Sequence, residues 1–340
     1  MVGLAFGILV FVAFIHFVGI AAFVRVLSQV RPATIFVMVC IQLLGYTFYA
    51  TAWYNLIRTA GYKLPFVKCQ GITFASIFAI YMLPSGVFLE ATRCILASRE
   101  TGMRLGESTA TVILHRILYI IGFLSSTALA LLALTISGNM AMNAIFELTF
   151  LPFIAIGGLV TLLYLSLKPK RMQPLLDRIL KLAQPLAKLI QREADMTGKA
   201  DQFLDEYNFS FRKMLSSKTK LAVSFAASIG DWACSVLILW VVLLSLGASV
   251  SVWTVVITMA IGKIIEMTPI AVPGMLGIYE TSITAALSVF SVPVAVAASA
   301  ALLSRIVTAW LEIPITGMAA YHYGYKLLGQ PSLSFRSRNT

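Results

Sequence analysis

Charge is what this chain has least of. Only 12% of its 340 residues are Asp, Glu, Lys or Arg, about half the share found in a soluble domain. Histidine is scarcer still, with only His16, His115 and His322. No HExxH, no GxSxG and no second set of metal ligands accompanies them, which removes the common hydrolase patterns. No Walker loop occurs, so the chain is not expected to hydrolyse ATP itself. The cysteines Cys40, Cys69, Cys94 and Cys234 are scattered without metal spacing or a disulfide framework and read as small apolar residues. The expectation is a protein that is not an enzyme and has no cofactor and no metal.

What the chain has is apolar length. Charge-free runs cover Leu4–Val24, Ala33–Ile57, Cys69–Leu89, Ile117–Phe146, Leu148–Leu167, Trp232–Gly262 and Thr281–Ser304. A helix needs roughly 20 apolar residues to cross a bilayer, and a barrel would show short alternating segments instead. The fold class is therefore an all-α polytopic membrane protein. The first run has no basic residue before it and is too long for a signal peptide, so it reads as a retained helix.

The net charge is +12, and twelve of the 26 Lys and Arg residues lie between Lys168 and Lys220. In a membrane protein such clusters mark cytoplasmic loops against anionic lipid rather than nucleic-acid binding. This stretch divides the chain into a first half (1–167), a linker (168–220), a second half (221–325) and a short basic tail (326–340). Within the linker, Ile179, Ala183, Leu186 and Ile190 recur at helical spacing among basic residues, which predicts an amphipathic surface helix.

With the linker inside, the uncharged loops 247–252 and 290–296 both fall outside. The segment 253–289 between them carries Pro269, Pro273, Gly274 and Gly277 near its middle, so it is expected to enter and return as a broken hairpin. Such backbone is tolerated only where protein or a wet cavity covers it. The segment 68–98 has Pro84 and Gly86 in the same place. Setting "ESTATVILHRIL" (107–118) over "VAASAALLSRIV" (296–307) aligns Arg116 with Arg305, and the same offset of 189 aligns Pro84 with Pro273. Glu90 and Glu280 miss that offset by one residue. Each half thus reads as break, Glu, then Arg about 25 residues later. That pattern predicts two inverted repeats with a site between them near the midplane.

Charges inside a membrane cost roughly 2.5–3.5 kcal/mol each and need partners or water. The candidates are Glu90, Arg93, Arg116, Asp231, Lys263, Glu266, Glu280, Arg305 and Glu312. Their signs nearly balance, so ion pairing alone would account for them structurally. Lys263 and Glu266, three residues apart, fit that reading. Glu312 reads as interfacial, late in the last helix. Asp231 reads as early in its helix, as a cap or facing the cavity. His115 reads as a packed helix residue or a proton relay. The group around the two breaks points to binding: Ser85, Gly86, Glu90, Arg93, Arg116, Pro273, Gly274, Gly277, Glu280 and Arg305. A restarted helix offers free N–H groups to an anion, Ser85 or Gly86 suits an N-cap, and arginine pairs bidentately with phosphate. The glutamates would hold the arginines or receive a cationic headgroup.

At "LPSGVFLEATRCILASRETG" with "HRIL" downstream, and at "TPIAVPGMLGIYETSITAAL" with "LLSRIVTAW" downstream, the chain resembles a known family. This is the transmembrane region of lysylphosphatidylglycerol synthases, the flippase half of the multiple peptide resistance factor proteins. The resemblance implies Pro84, Gly86, Glu90, Arg93, Arg116, Pro269, Pro273, Gly274, Gly277, Glu280 and Arg305 as matching positions. It departs at His115, where the family often has Glu, and at Met275, where it often has Gly. The tail after Tyr325 is too short for the aminoacyl-transferase domain, so no synthesis of aminoacylated lipid is expected. The function implied is movement of a phospholipid or polyprenyl-phosphate lipid between leaflets of the plasma membrane. The alternative is an ion- or proton-coupled transporter of a soluble organic anion. Expected partners are membrane lipids with anionic or phosphate-bearing headgroups, and either a second copy of the chain or a separate lipid-synthesising enzyme. Nucleic acid is not expected.

Overall fold

The computed structural model describes residues 30–82, 87–137, 142–168, 199–268 and 272–328, with residues 171, 173 and 174. The first apolar run, the predicted helix through Ile179 and Ile190, and residues 83–86 and 269–271 lie outside them. Among the described residues every regular element is helical.

The described residues form eleven α-helices in order: α1 Pro32–Ala60, α2 Phe66–Met82, α3 Val87–Thr101, α4 Leu105–Ile136, α5 Met142–Leu167, α6 Lys199–Ser216, α7 Lys218–Ser245, α8 Val252–Met267, α9 Ile278–Val289, α10 Val294–Arg305 and α11 Glu312–Leu328. A 3-10 turn at Pro273–Met275 precedes α9, and a π-turn at Ile306–Trp310 joins α10 to α11. Among the described residues, four stretches are long and apolar enough to cross a membrane: Pro32–Ala60, Leu105–Ile136, Lys218–Ser245 and Val294–Tyr323. The chain is a multi-pass membrane protein.

The segments around the two breaks are shorter. Helices α2 and α3 have 17 and 15 residues, and α8 and α9 have 16 and 12. At 1.5 Å per residue, none reaches the roughly 30 Å of a hydrocarbon core. Each pair packs against its own partner, α2 on α3 and α8 on α9.

Helices α1 and α7 form the most extensive helix pair. Small residues allow it: a Cβ at Gly45 would lie 3.2 Å from Cys234 Cβ, and one at Gly230 would lie 2.9 Å from the Phe48 ring. One apolar core gathers Phe123 and Leu134 of α4 with Trp232, Leu239, Val255, Ile257, Ile283, Leu287, Ala297 and Ala301 from α7 to α10. A second joins Trp53 and Ile57 of α1 to Cys69, Ile72, Leu96, Ala97 and Tyr323.

Helix α6 is the polar-faced one, and its apolar stripe docks on the bundle. Leu204, Tyr207, Phe211 and Met214, at three- and four-residue spacing, are buried. Tyr207 Oη bonds Ser166 Oγ at 2.9 Å, and Lys213 Nζ donates to the Ala60 carbonyl at 2.8 Å. This stripe lies C-terminal to the pattern at 179–190 that the sequence singled out.

Two residues sit elsewhere than expected. Asp231 lies in the middle of α7, because that helix begins at Lys218, well before the apolar run does. Glu312 opens α11 near the middle of the last span and is 7% exposed. Its carboxylate meets the Tyr81 hydroxyl at 2.5 Å.

Candidate functional site

The second-half break is held by one ion pair. Gly274 and Gly277 take φ of +60 and +79, a region that glycine enters without a Cβ clash. The chain then restarts at Ile278 with Glu280 in the first turn. Glu280 Oε2 accepts the Gly277 N–H at 2.8 Å, so the carboxylate caps the N-terminus of its own helix. Glu280 Oε1 accepts Arg305 Nε at 2.9 Å, and Arg305 Nη2 donates to the Gly274 carbonyl. The Arg305 guanidinium also lies over the Tyr279 ring, 4.9 Å from its centroid.

The first half repeats the arrangement with looser geometry. Glu90 Oε2 accepts Arg93 Nη1 at 3.2 Å, while Glu90 Oε1 lies 3.7 Å from Arg116 Nη1. In both halves, therefore, the Glu after the break meets the Arg of the later helix. Arg93 faces away from open space. Its Nη1 donates to Tyr49 Oη at 2.9 Å and its Nη2 to His115 Nδ1 at 2.9 Å. A guanidinium has donors only, so the imidazole proton sits on Nε2. Trp53 stacks beneath Arg93 at 4.2 Å, and Arg93 is fully buried.

Between the halves lies a cavity of about 220 Å³. Of the nine candidate charges, seven line it: Glu90 from α3, Arg116 from α4, Asp231 from α7, Lys263 and Glu266 from α8, Arg305 from α10 and Glu312 from α11. Gly274 lines it as well. Arg93 and Glu280 stand behind the lining, bonded to Tyr49 and Glu90 and to Arg305 respectively, and His115 and Gly277 stand behind them, bonded to Arg93 and Glu280. Pro273 begins the 3-10 turn. Ser85 and Gly86 lie outside the described residues.

The charges are unevenly committed. Lys263 Nζ bonds Glu266 Oε2 at 2.6 Å, and Arg305 is tied to Glu280. Arg116 keeps a third of its side chain exposed and, among the described residues, has only the 3.7 Å approach to Glu90. Asp231 and Glu312 have no cationic group within 4 Å among the described residues; Glu312 instead faces the Tyr81 hydroxyl at 2.5 Å. No three His, Cys, Asp or Glu side chains among the described residues come together as metal ligands.

Sequence reading missed the aromatic part of the wall. Tyr46, Tyr49, Tyr81, Tyr119 and Tyr279 line the cavity with Gln42. A signal was present: Gln42, Tyr46 and Tyr49 form a polar stripe at helical spacing on an otherwise apolar helix, and Tyr119 follows Arg116 by one turn.

Sequence similarity to other proteins runs along most of the chain. A UPF0104 membrane protein of Methanocaldococcus jannaschii is 24% identical over 306 residues, covering 87% of this chain and 86% of its own length. A UPF0104 membrane protein of Methanothermobacter thermautotrophicus is 23% identical, covering 92% and 89%. One of Pyrococcus horikoshii is 22% identical, covering 92% and 93%. The sequence model of the lysylphosphatidylglycerol synthase TM region matches residues 1–315, which takes in both breaks and every charge described above. The chain belongs to the lysylphosphatidylglycerol synthase transmembrane region family.

Proposed function

We propose that this protein moves a phosphate-bearing lipid between leaflets, its headgroup passing through the polar cavity while its tails stay in the bilayer. The carrying observation is convergence: seven ionisable side chains from six helices face one cavity inside an apolar bundle. Intramembrane charges are costly, and a purely structural set would pair off completely. Arg116 is the exception that favours a ligand, since its guanidinium is accessible from the cavity and weakly paired. It suits a lipid phosphate. Asp231 and Glu312, which lack cationic partners among the described residues, give a cationic part of a headgroup a place.

In this reading the two broken segments are re-entrant hairpins from opposite faces, and the halves are inverted repeats. The basic linker and tail lie on the cytoplasmic side of the plasma membrane. No covalent step is involved. The family supports a membrane-lipid role.

The test uses proteoliposomes carrying fluorescent phosphatidylglycerol or phosphatidylethanolamine, with surface quenching to follow movement. Wild-type protein is expected to speed exchange over empty vesicles, and Arg116→Ala to slow it. Equal rates in all vesicles for both lipids would sink the reading. Uptake of a soluble organic anion driven by a proton or sodium gradient would replace it with the second one.

A further inference from the structure

The last span is not one helix. Val294–Tyr323 is long enough to cross a membrane, yet it is divided at Ile306–Trp310 by a π-turn in which Leu311 N–H bonds the Ile306 carbonyl five residues back at 3.0 Å. Its two parts belong to different cores. Ala297, Ala300, Ala301 and Leu303 of α10 are buried with residues of α7, α8 and α9. Tyr323 of α11, backed by Ala319 and Ala320, packs with Cys69, Ile72 and Ala75 of α2 and with Leu96 and Ala97 of α3. Helices α1 and α4 run unbroken past both cores; only the last span changes its ladder where it passes from one to the other.

The edges of the turn are fastened to opposite sides. Arg305, just before it, is bonded to Glu280 and to the Gly274 carbonyl in the second-half break. Glu312, just after it, faces the hydroxyl of Tyr81 on α2 at 2.5 Å. The same hydroxyl lies 3.1 Å from the Thr308 carbonyl inside the turn. The Tyr81 ring meets the other side too, since a Cβ at Gly274 would lie 3.1 Å from its Cδ1. Tyr81 thus touches the second-half break, the turn and α11 together.

We propose that the π-turn is a hinge and that Tyr81 with Glu312 is its latch. The unit of α8, the 3-10 turn, α9 and α10 swings against the unit of α2, α3 and α11, and the cavity between them changes its access. A regular α-helix resists such bending because every turn is tied, whereas an inserted residue is a known site of kinks and function. Helices α1 and α4 contribute to both cores, so each unit shifts by sliding along them in the small steps that packed helices allow. The contacts that exchange on the cavity wall include those of the Tyr81 hydroxyl with Glu312 and the Thr308 carbonyl, which water can replace. The motion is defined by the fold and does not depend on which solute crosses.

Distances between spin labels on the full chain in lipid nanodiscs test this without any transported solute, so its failure is separate from failure of the lipid reading. One pair joins Val67 of α2 to Val289 of α9 across the units; a second joins Val67 to Ile95 within one unit, all exposed positions, with exposed Cys40 replaced by Ser. The across-unit pair is expected to give two populations, and Tyr81→Phe, which removes one hydrogen bond, to shift their ratio about fivefold. The within-unit pair is expected to hold still. Deleting Ala309, which would regularise the turn, is expected to leave one population. A single across-unit distance in both wild type and Tyr81→Phe overturns the proposal. So does a within-unit change as large as the across-unit one, which would mean that Tyr81→Phe only loosens the fold.

Discussion

The Glu280 carboxylate holds two things at once: the Gly277 N–H at 2.8 Å and Arg305 Nε at 2.9 Å. Glu280 is 1% exposed and Arg305 6%, so neither charge has water to fall back on. Arg305→Ala leaves Glu280 buried without a counter-charge, at a cost of about 3–5 kcal/mol. Arg305→Lys keeps the charge but not the fork that reaches both Glu280 and the Gly274 carbonyl, so an intermediate loss is expected. Melting temperatures in nanodiscs rank the two variants; an Arg305→Ala protein as stable as wild type would show that the pair does not secure the break.

Arg93 and Arg116 separate structure from binding. Arg93 is fully buried between Trp53, Tyr49 and His115. Its removal should lower the melting temperature strongly, by the equivalent of about 3–5 kcal/mol. Arg116 is a third exposed, with its one acidic partner at 3.7 Å. Arg116→Ala should cost about 1 kcal/mol or less while slowing lipid exchange in vesicles. The opposite pattern would exchange the two roles.

These contrasts mark what the residue pattern could convey. Breaks in apolar runs and charges inside them were legible, because proline, glycine and ionised groups are costly in lipid wherever they face. The shared order of break, Glu and Arg in each half was legible too, although the contact of each Glu with an Arg some 25 residues on was only one of the roles the pattern allowed. The direction of Arg93 did not, since its cage draws on α1 and α4, remote in sequence. The cavity tyrosines were hidden because tyrosine in a membrane helix is ordinary. The contact of Glu312 with Tyr81 was hidden too, since it joins helices remote in sequence and the π-turn before it carries no compositional mark.

Helix α6 depends on a close approach at Gly106. A Cβ there would lie 2.4 Å from the Phe203 carbonyl oxygen and 2.7 Å from Glu206 Cβ. The first is backbone and cannot rotate away. Gly106→Ala should therefore push α6 off α4, costing roughly 1–3 kcal/mol as an overpacked contact does. Limited trypsin digestion between Lys199 and Lys220 should become faster than in wild type. An unchanged cleavage rate would mean that α6 is held elsewhere.

Tyr62, in the turn after α1, donates to Glu107 Oε2 at 2.5 Å. Burial, together with that carboxylate, pushes its phenol up to about 12. The folded state thus keeps a proton that an unfolded chain releases near pH 10. The resulting stabilisation is whole below about pH 10 and is lost as pH rises towards 12. Melting temperature should fall across that window, and Tyr62→Phe should flatten the fall. Parallel curves for the two proteins would remove Tyr62 as a source of the pH dependence.

Gly102 and Gly274 allow backbone strain to be separated from contact with Tyr81. Both have positive φ, +72 and +60. A side chain at either position is disfavoured by about 1–2 kcal/mol from its own backbone. At Gly102 nothing lies within 4 Å of a new Cβ, whereas at Gly274 it meets Tyr81 Cδ1 at 3.1 Å. Gly102→Ala should therefore lower stability without touching the cavity. Gly274→Ala should lower it by at least as much, displace the Tyr81 ring and weaken its contact with Glu312. Adding Tyr81→Phe should then cost less in the Gly274→Ala background than in wild type, while remaining additive with Gly102→Ala. Full additivity in both backgrounds would place the Tyr81 hydroxyl contacts outside the influence of the break.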